Sequence, residues 1–313
     1  MKIFLAGHRG MVGSAIYNEL KNNGYTQIVI KSREELDLRN QSAVNEFILD
    51  EKPEVVIIAA ARVGGILANK TYPYQFIYDN LAIQANIIHS AHNNDTQKLI
   101  FLGSSCIYPK YAPQPIQEKD LLSGPLEPTN QWYAIAKIAG VKMCESLREQ
   151  YNRNYIALMP NNLYGPNDNF DLETSHVLPA MVRKFHDAKP NKQVLLWGTG
   201  TPKREFLHVQ DLACAVRFAI ENDLPDTLYN VGTGSDISIK ELATLVQNVV
   251  GHRGNIEWDT TKPDGTPRKL LDVSKLHNKG WRHKIDLEKG LQTTYQWFVE
   301  NYSNIKELKI ENE

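Results

Sequence analysis

A glycine-rich segment near the start of the chain constrains the fold more than any other feature. It reads Gly7-His8-Arg9-Gly10-Met11-Val12-Gly13, after an apolar run at 3–6 and before a helical pattern at 11–22. Glycines permit a tight turn and a close backbone approach, and the helix start offers free N–H groups and a positive dipole end to a pyrophosphate. A strand, a glycine turn and a helix in this order are typical of a dinucleotide-binding unit. We therefore predict that these seven residues bind a dinucleotide cofactor.

The first half of the chain alternates between short apolar runs and longer helical patterns. Strands are predicted at 3–6, 27–30, 55–61, 99–103 and 155–159, and helices at 11–22, 41–51, 74–93 and 133–151. Most of these runs are continuously apolar, as in parallel strands that are buried on both faces. We predict an α/β fold: a Rossmann-type doubly wound parallel sheet joined to a smaller α/β substrate-binding domain. The expected domains are residues 1–165, with segments near 205–232 packing back onto them, and residues 166–313.

The second half of the chain is less regular. Residues 161–169 are rich in Asn, Gly and Pro, which predicts a loop. Further strands are expected at 194–197, 206–209 and 228–231, and helices at 177–188, from about 211, and at 238–249. A final amphipathic helix is expected before a charged tail that follows Tyr302.

Charge and cysteine content narrow the class of protein. The 313 residues carry 35 Lys and Arg against 36 Asp and Glu, a formal net charge of −1, so neither nucleic acid nor a membrane is an expected partner. The N-terminus begins directly with a strand pattern, so no signal peptide is expected. Cys106, Cys144 and Cys214 are widely spaced and odd in number, which predicts neither a disulfide framework nor a metal site. We expect a cytoplasmic protein without a metal.

The end of the second predicted strand indicates which dinucleotide binds. NAD-specific sites usually place an acidic residue there to hold the ribose 2′-hydroxyl. Here the strand runs into Lys31, Ser32 and Arg33, with no acid before Glu34, and Arg9 lies inside the glycine turn. Guanidinium groups suit a 2′-phosphate, so Arg9 and Arg33 favour NADP(H).

A phenol, an ammonium and a hydroxyl follow the fourth predicted strand and open the next helix. Tyr133 and Lys137 lie four residues apart on one helix face, and Ser104 follows the strand at 99–103. Ligands bind at the carboxyl ends of parallel strands, so these groups are expected to meet there. A nearby ammonium and the charge of the cofactor would lower the pKa of a tyrosine, and a serine hydroxyl can donate a hydrogen bond to the reacting carbonyl. The set suits hydride transfer.

At this point the sequence resembles the extended short-chain dehydrogenase/reductase family over nearly the whole chain. Within that family it is most similar to the enzymes that epimerise GDP-4-keto-6-deoxy-D-mannose at C3 and C5 and reduce C4. The matching strings are GHRGMVGSAI at 7–16, VGGI at 63–66, GSSCIYPK at 103–110, LEPTN at 126–130, SHVLPA at 175–180, REFLHVQD at 204–211, YNVG at 229–232 and KPDGTPRKLLD at 262–272.

The resemblance implies roles for particular residues. Ser104, Tyr133 and Lys137 match the catalytic set, and Cys106 and His176 match the acid–base pair that moves protons at C3 and C5. NADPH would then reduce C4 and yield GDP-L-fucose. By the residues alone, Cys106 also suits a small buried filler and His176 a helix start.

The resemblance also implies binding residues and an assembly. Cofactor contacts are expected from Lys137, His176 and the segment Pro160-Asn161-Asn162-Leu163, in which the family usually has Thr where Asn161 stands. Contacts to the GDP-sugar are expected from Lys184, Trp197, Arg204 and Asp264. A homodimer is expected through a four-helix interface made by the helices at 74–93 and 133–151.

Two other functions remain open at this point. An NAD-dependent nucleotide-sugar 4-epimerase or 4,6-dehydratase would share the fold, although the basic end of the second strand disfavours NAD. A non-catalytic NADP-binding sensor could also share it, but such a sensor can dispense with Tyr133 and Lys137.

Overall fold

The structure is a computed structural model that describes residues 1–172, 174–262 and 264–305. The strands are β1 (Ile3–Ala6), β2 (Ile28–Val29), β3 (Val55–Ile58), β4 (Lys98–Leu102), β5 (Asn154–Pro160), β6 (Asn162–Tyr164), β7 (Val194–Trp197), β8 (Lys203–Arg204), β9 (Phe206–His208), β10 (Leu228–Val231), β11 (Ile237–Ser238), β12 (Ile256–Asp259) and β13 (Arg268–Lys269). The helices are α1 (Met11–Asn22), α2 (Gln41–Glu51), α3 (Ile66–Thr71), α4 (Pro73–Asn93), α5 (Gln131–Tyr151), α6 (Val177–Asp187), α7 (Val209–Glu221), α8 (Ile239–Val250), α9 (Ser274–His277), α10 (Leu287–Glu300) and α11 (Tyr302–Ile305). The predicted tail at 306–313 lies outside the described residues.

A six-stranded parallel sheet forms the centre of the molecule, in the order β10-β5-β4-β3-β1-β2. All residues of β1 and β3 are buried, as their continuous apolar sequences predict. Helices cover both faces: α2, α4 and α5 pack on one, and α1 and α7 on the other. The predicted doubly wound parallel sheet is confirmed.

A second, smaller apolar cluster lies apart from that sheet. It is formed mainly by α6, α8 and α10 with the two-stranded sheet of β7 and β12. The start of α8 is fixed by a capping box, in which the Ser238 hydroxyl accepts from the Glu241 backbone N–H at 3.1 Å and the Glu241 carboxylate accepts from the Ser238 N–H at 2.9 Å.

The predicted loop at 161–169 is wrong in its first part, because residues 162–164 form β6 and pair with β9. The short strands β8, β11 and β13 form a three-stranded sheet that the sequence analysis did not predict. Their two-residue lengths leave no periodicity to detect, and only pairing with distant segments makes them strands. Within the part of the chain that the structure describes, no helix has both the length and the apolarity needed to cross a membrane.

Candidate active site

The glycine segment forms a tight cradle between β1 and α1. Gly7 has a φ of +92°, and a Cβ there would lie 2.5 Å from the backbone N of Ala60, at the end of β3. A Cβ on Gly13 would overlap the Gly7 carbonyl, so helix α1 can approach the turn only because both residues are glycine. No acidic residue stands in the first turn of α1. The cradle therefore fits the phosphates of a dinucleotide at a helix N-terminus.

The two predicted phosphate-binding arginines lie at the edge of this cradle. Both are exposed, and Arg9 makes a 3.6 Å ion pair with Glu34, the residue after Arg33. The sequence separates Arg9 from this segment by a helix and a strand, and the fold brings them together. Burial lowers the pKa of His8, Arg9 lowers it further, and Glu35 opposes the shift. Arg9, Arg33 and Glu34 thus lie together beside the glycine cradle, and binding of a 2′-phosphate by the two arginines stays a prediction.

Tyr133 and Lys137 lie in the first two turns of α5, beside the carboxyl end of β4. The Lys137 ammonium is buried, donates to the Leu102 carbonyl at 2.8 Å and lies 4.7 Å from the centre of the Phe101 ring. Burial lowers its pKa from 10.5 to about 8. Burial raises the pKa of Tyr133, and the lowering expected from Lys137 together with the charge of the cofactor stays a prediction. In the protein without cofactor, Tyr133 is therefore a neutral phenol that can donate a proton.

Ser104 and Cys106 occupy the turn that follows β4. A short 3₁₀ helix spans Ser105–Ile107, and the Ser104 hydroxyl caps it by accepting from the Cys106 backbone N–H at 3.4 Å. The Cys106 side chain is buried, which raises the pKa of its thiol, while the ammonium groups of Lys269 and Lys137 lower it. A thiol at the strand end with two cations acting on it is an unusual environment for a core cysteine. By contrast, Cys144 on α5 is fully buried among the apolar side chains of the core.

His176 is the N-terminal cap residue of α6. Its side chain reaches solvent, but the protein packed around the imidazole lowers its pKa, and Lys269 lowers it further. His176 is therefore neutral near pH 7 and can accept a proton.

Lys269 is a site residue that the sequence analysis missed. It ends β13, and burial lowers its pKa, with Cys106 opposing that shift and Arg204 adding to it. The same ammonium acts on Cys106 and on His176. The matching string at 262–272 contains Lys269, but within that string the resemblance implies a role only for Asp264. Nothing local distinguishes this lysine, because its neighbours come from distant segments.

The Asn161 side chain forms hydrogen bonds with four protein groups. The Asn161 amide is buried: its Oδ1 accepts from Ser105 and Asn162, and its Nδ2 donates to Glu205 and to the Lys269 carbonyl. Its side chain is thus fully committed to protein, so a cofactor could meet only its backbone. Pro160 ends β5, and Leu163, half-buried in β6, packs against the main core.

The residues predicted to bind the GDP-sugar fall into two groups. Trp197 is 65% exposed, and the ammonium groups of Lys184 and Lys262 lie 5.4 and 5.6 Å from its ring centre. Asp264 accepts from the backbone and hydroxyl of Thr199, at 2.9 and 2.6 Å. Arg204 lies within reach of both Asp264 and Lys269, since its charge acts on the pKa of each.

Comparison with known proteins agrees with this geometry. Residues 3–232 match the model of the NAD dependent epimerase/dehydratase family. The chain is 57% identical over 305 residues to GDP-L-fucose synthase 1 of Arabidopsis thaliana, covering 97% of this chain and 94% of that protein. It is 54% identical over 316 residues to GDP-L-fucose synthase of Escherichia coli K12, covering 97% and 98%.

A solved structure gives the same result for the fold. The GDP-mannoheptose C4 reductase from Campylobacter jejuni with NADP bound superposes with a TM-score of 0.88 at 40% identity, covering 95% of this chain and 98% of that one. The glycine cradle, the Tyr133–Lys137 pair and these matches together show that the chain belongs to the NAD dependent epimerase/dehydratase family, in the extended short-chain dehydrogenase/reductase group.

Proposed function

We propose that the chain is an enzyme that converts GDP-4-keto-6-deoxy-D-mannose to GDP-L-fucose with NADPH. The observation that carries this proposal is a group of side chains at the end of β4, where Ser104, Tyr133 and Lys137 lie beside Cys106 and the Lys269 ammonium acts on both Cys106 and His176. Curated relatives at 54–57% identity are named GDP-L-fucose synthases, and they match nearly the whole chain.

The cofactor is NADP(H), held at the glycine cradle with its 2′-phosphate near Arg9 and Arg33. A 40% identical relative has been solved with NADP bound. When bound, NADPH supplies the hydride for reduction. The chain's own contribution is the helix N-terminus at Gly10, the two arginines and the Lys137 ammonium near the reacting end.

Epimerisation uses the acidity that the C4 carbonyl gives to the hydrogens on C3 and C5. A base removes such a hydrogen as a proton, the oxygen of the resulting enolate is stabilised by the Ser104 and Tyr133 hydroxyls, and a proton returns to the opposite face. Cys106 and His176 are the pair that gives and takes these protons. Burial raises the pKa of Cys106, with Lys269 opposing that shift, and burial together with Lys269 lowers the pKa of His176, so the Cys106 thiol can donate a proton and the neutral His176 can accept one.

Reduction follows once both centres are inverted. Carbon C4 receives the hydride while the Tyr133 O–H donates its proton to the carbonyl oxygen, giving the alcohol. The raised pKa of Tyr133 in the absence of cofactor keeps that proton in place, and Lys137 stabilises the tyrosinate that remains.

The proposed cofactor-binding and substrate-binding domains correspond to the central sheet with its helices and to the smaller apolar cluster of α6, α8 and α10. Residues 1–165, with the returning strand β10 and helix α7, hold the cofactor, and residues 166–313 otherwise hold the GDP-sugar. Arg204 and Lys184 neutralise the diphosphate, Trp197 offers an exposed aromatic face, and Asp264 accepts from hydroxyl groups. Cys106 must remain a thiol, so a reducing cytoplasmic setting is part of the proposal.

The proposed assembly is a homodimer through α4 and α5. These helices pack side by side and expose apolar side chains, including the stacked rings of Tyr74 and Tyr78, together with Ile135 on α5. A neighbouring apolar set on two helices suits a second copy of the same pair, which makes a four-helix interface.

The test is the reaction of GDP-4-keto-6-deoxy-D-mannose with NADPH in deuterated water, with the product examined by NMR. Deuterium at both C3 and C5 of an L-sugar, with NADPH consumed, is the expected result. NADPH oxidation without deuterium would leave a plain C4 reductase. Absence of turnover would return the NAD-dependent epimerase, the dehydratase and the sensor as candidates.

A further inference from the structure

Glu205 is a completely buried carboxylate that the proposed mechanism does not use. It follows Arg204, and its side chain has 0% exposure. Its Oε1 accepts from the backbone N–H groups of Thr233 and Gly234, at 2.6 and 2.7 Å. Its Oε2 accepts from the Leu271 N–H at 3.0 Å and from Asn161 Nδ2 at 2.7 Å. Every one of these partners is a donor, so only an ionised carboxylate satisfies all of them.

The carboxylate fixes the orientation of the next group. Because Glu205 can only accept, the Asn161 amide must turn its NH₂ toward it and its Oδ1 away. That oxygen lies 3.2 Å from the Ser105 hydroxyl, which therefore donates to it. Ser105 is buried and begins the turn that carries Cys106, with Ser104 as its cap. The hydrogen-bond chain thus runs in one direction, from Ser105 through Asn161 to Glu205.

The same carboxylate also holds the strand that carries Lys269. The Glu205 backbone N–H donates to the Lys269 carbonyl at 3.3 Å, and Asn161 Nδ2 donates to that carbonyl at 3.2 Å. Leu271, two residues on, donates to the Glu205 side chain. One network therefore connects the turn that bears the thiol to the strand that bears the ammonium acting on it.

We propose that Glu205 and Asn161 are positioning residues for proton transfer at Cys106, holding the Ser104–Cys106 turn in register with Lys269. This inference rests on the proposed function, in which Cys106 moves protons at the ketosugar. The geometry requires no contact between Glu205 and substrate. Proton transfer depends steeply on the separation of the two atoms, and a misplacement of about 1 Å can cost about 100-fold in rate.

Two substitutions break the chain at different points. Glu205→Gln must aim its NH₂ group at the N–H donors of one side, either at Thr233 and Gly234 or at Asn161 and Leu271, so one side loses its acceptor. Asn161→Leu keeps the branched shape of the side chain and removes all four of its hydrogen bonds, and it serves if the glutamine variant does not fold. Asn161→Thr, the residue usual in the family, keeps one hydroxyl that can donate to Glu205 and accept from Ser105.

Asp211→Asn is the matched control. Asp211 is also a buried carboxylate, and it accepts from the backbone N–H groups of Lys284 and Ile285 at 2.9 and 3.0 Å. It touches neither the turn nor β13. Loss of its charge thus reports the general cost of removing a buried carboxylate.

Two steps are measured on each purified protein. The first is deuterium exchange at C3 and C5 of GDP-4-keto-6-deoxy-D-mannose in deuterated water. The second is the initial rate of NADP⁺ reduction by GDP-L-fucose, which reports hydride transfer without prior epimerisation. We expect Glu205→Gln and Asn161→Leu to lower exchange about 10- to 100-fold, and to lower hydride transfer, which uses Ser104 on the same turn, by a factor at least about threefold smaller. Asn161→Thr should recover most of the exchange, and Asp211→Asn should leave both rates within about threefold.

Other outcomes overturn the proposal. If exchange and hydride transfer fall by the same factor in Glu205→Gln and in Asn161→Leu, the network has only a structural role. Exchange that stays unchanged, or that falls equally in Asp211→Asn, has the same consequence. Failure of the unmodified protein to exchange deuterium while it still transfers hydride would instead refute the epimerase part of the proposed function, so the two failures are distinguishable.

Discussion

The Lys137 ammonium lies 5.7 Å from the centre of the Tyr133 ring, and its hydrogen bond to the Leu102 carbonyl ties it to the end of β4. Tyr133 in turn meets the edge of Phe76 with ring centres 6.5 Å apart. The phenol is thereby fixed between a cation and an apolar wall. Burial disfavours the charged form of each group, so the Tyr133 phenol is neutral and the Lys137 ammonium is less stable than it would be in water.

Tyr133→Phe tests the proton donor. The ring packing is retained and only the O–H is lost, so we expect hydride transfer to fall about 1000-fold while NADPH binding is nearly unchanged. Single-turnover kinetics with GDP-L-fucose and NADP⁺, and fluorescence titration with NADPH, measure the two effects. A phenylalanine variant that reduced NADP⁺ at the normal rate would refute the role of Tyr133.

Lys137→Met tests the cost of burying the ammonium. Burial lowers its pKa to about 8, while the unfolded chain keeps the ordinary value of 10.5. Between these two pH values the unfolded chain binds a proton that the folded one has lost, so native stability rises with pH in that window. At pH 7 we expect Lys137→Met to be the more stable protein, by up to about 3 kcal/mol, with the difference falling below about 1 kcal/mol by pH 10.

Urea unfolding of the cofactor-free proteins at pH 7 and pH 10 measures that difference. Lys142→Met, on the same helix but 46% exposed, is the control and should show no such change with pH. An equal pH dependence in native protein and Lys137→Met would show that this ammonium is not destabilised by burial.

Cys106→Ser tests the acid–base role of the thiol in epimerisation. A serine hydroxyl is far less acidic than a thiol, so we expect deuterium exchange at the ketosugar to fall about 100-fold, with NADPH affinity retained. Cys214→Ser, at a half-buried thiol on α7, controls for the loss of a sulfur atom. Equal losses of exchange and of cofactor affinity in Cys106→Ser would contradict an acid–base role.

Arg9 and Glu34 should act in opposite directions on cofactor choice. Arg9→Ala removes a cation from the predicted 2′-phosphate site, and we expect KM for NADPH to rise about 10-fold while KM for NADH stays constant. Glu34→Gln removes the anion that pairs with Arg9, and it should lower KM for NADPH. Steady-state kinetics with both cofactors give the answer, and a shift of equal size for NADH would assign Arg9 to another role.

Tyr78→Arg tests the proposed dimer. Tyr78 is 52% exposed on α4 and stacks on Tyr74, so a charge there would be buried without a partner in a four-helix interface. We expect the variant to sediment as a monomer at concentrations where the unmodified protein is a dimer. Val299→Arg, at an exposed site on α10, should not change the assembly.

Much of the fold could be predicted because its signals are local. The predicted helix bounds at 11–22 and 41–51 agree with α1 and α2, and the strands at 194–197 and 228–231 agree with β7 and β10. Glycine spacing, apolar runs and the Tyr133–Lys137 interval lie within single segments, so they can be seen without knowing what packs where.

Elements that depend on distant partners could not be predicted in this way. Residues 162–164 resemble a loop in composition and become β6 only by pairing with residues 206–208. The burial that raises the pKa of Tyr133 likewise depends on the neighbours that the fold packs around the phenol, and it leaves no signal in the local sequence.

The sequence by itself determined the doubly wound sheet, the glycine cradle and the chemical types at the strand ends. Only the tertiary structure decided that Lys269 acts on Cys106, 163 positions earlier in the chain, and that the buried Glu205 joins both segments through Asn161. The physical reason is that a carboxyl edge of a parallel sheet gathers strand ends from the whole chain. Charge, burial and hydrogen-bond direction at that edge are properties of the assembled neighbours rather than of any one segment.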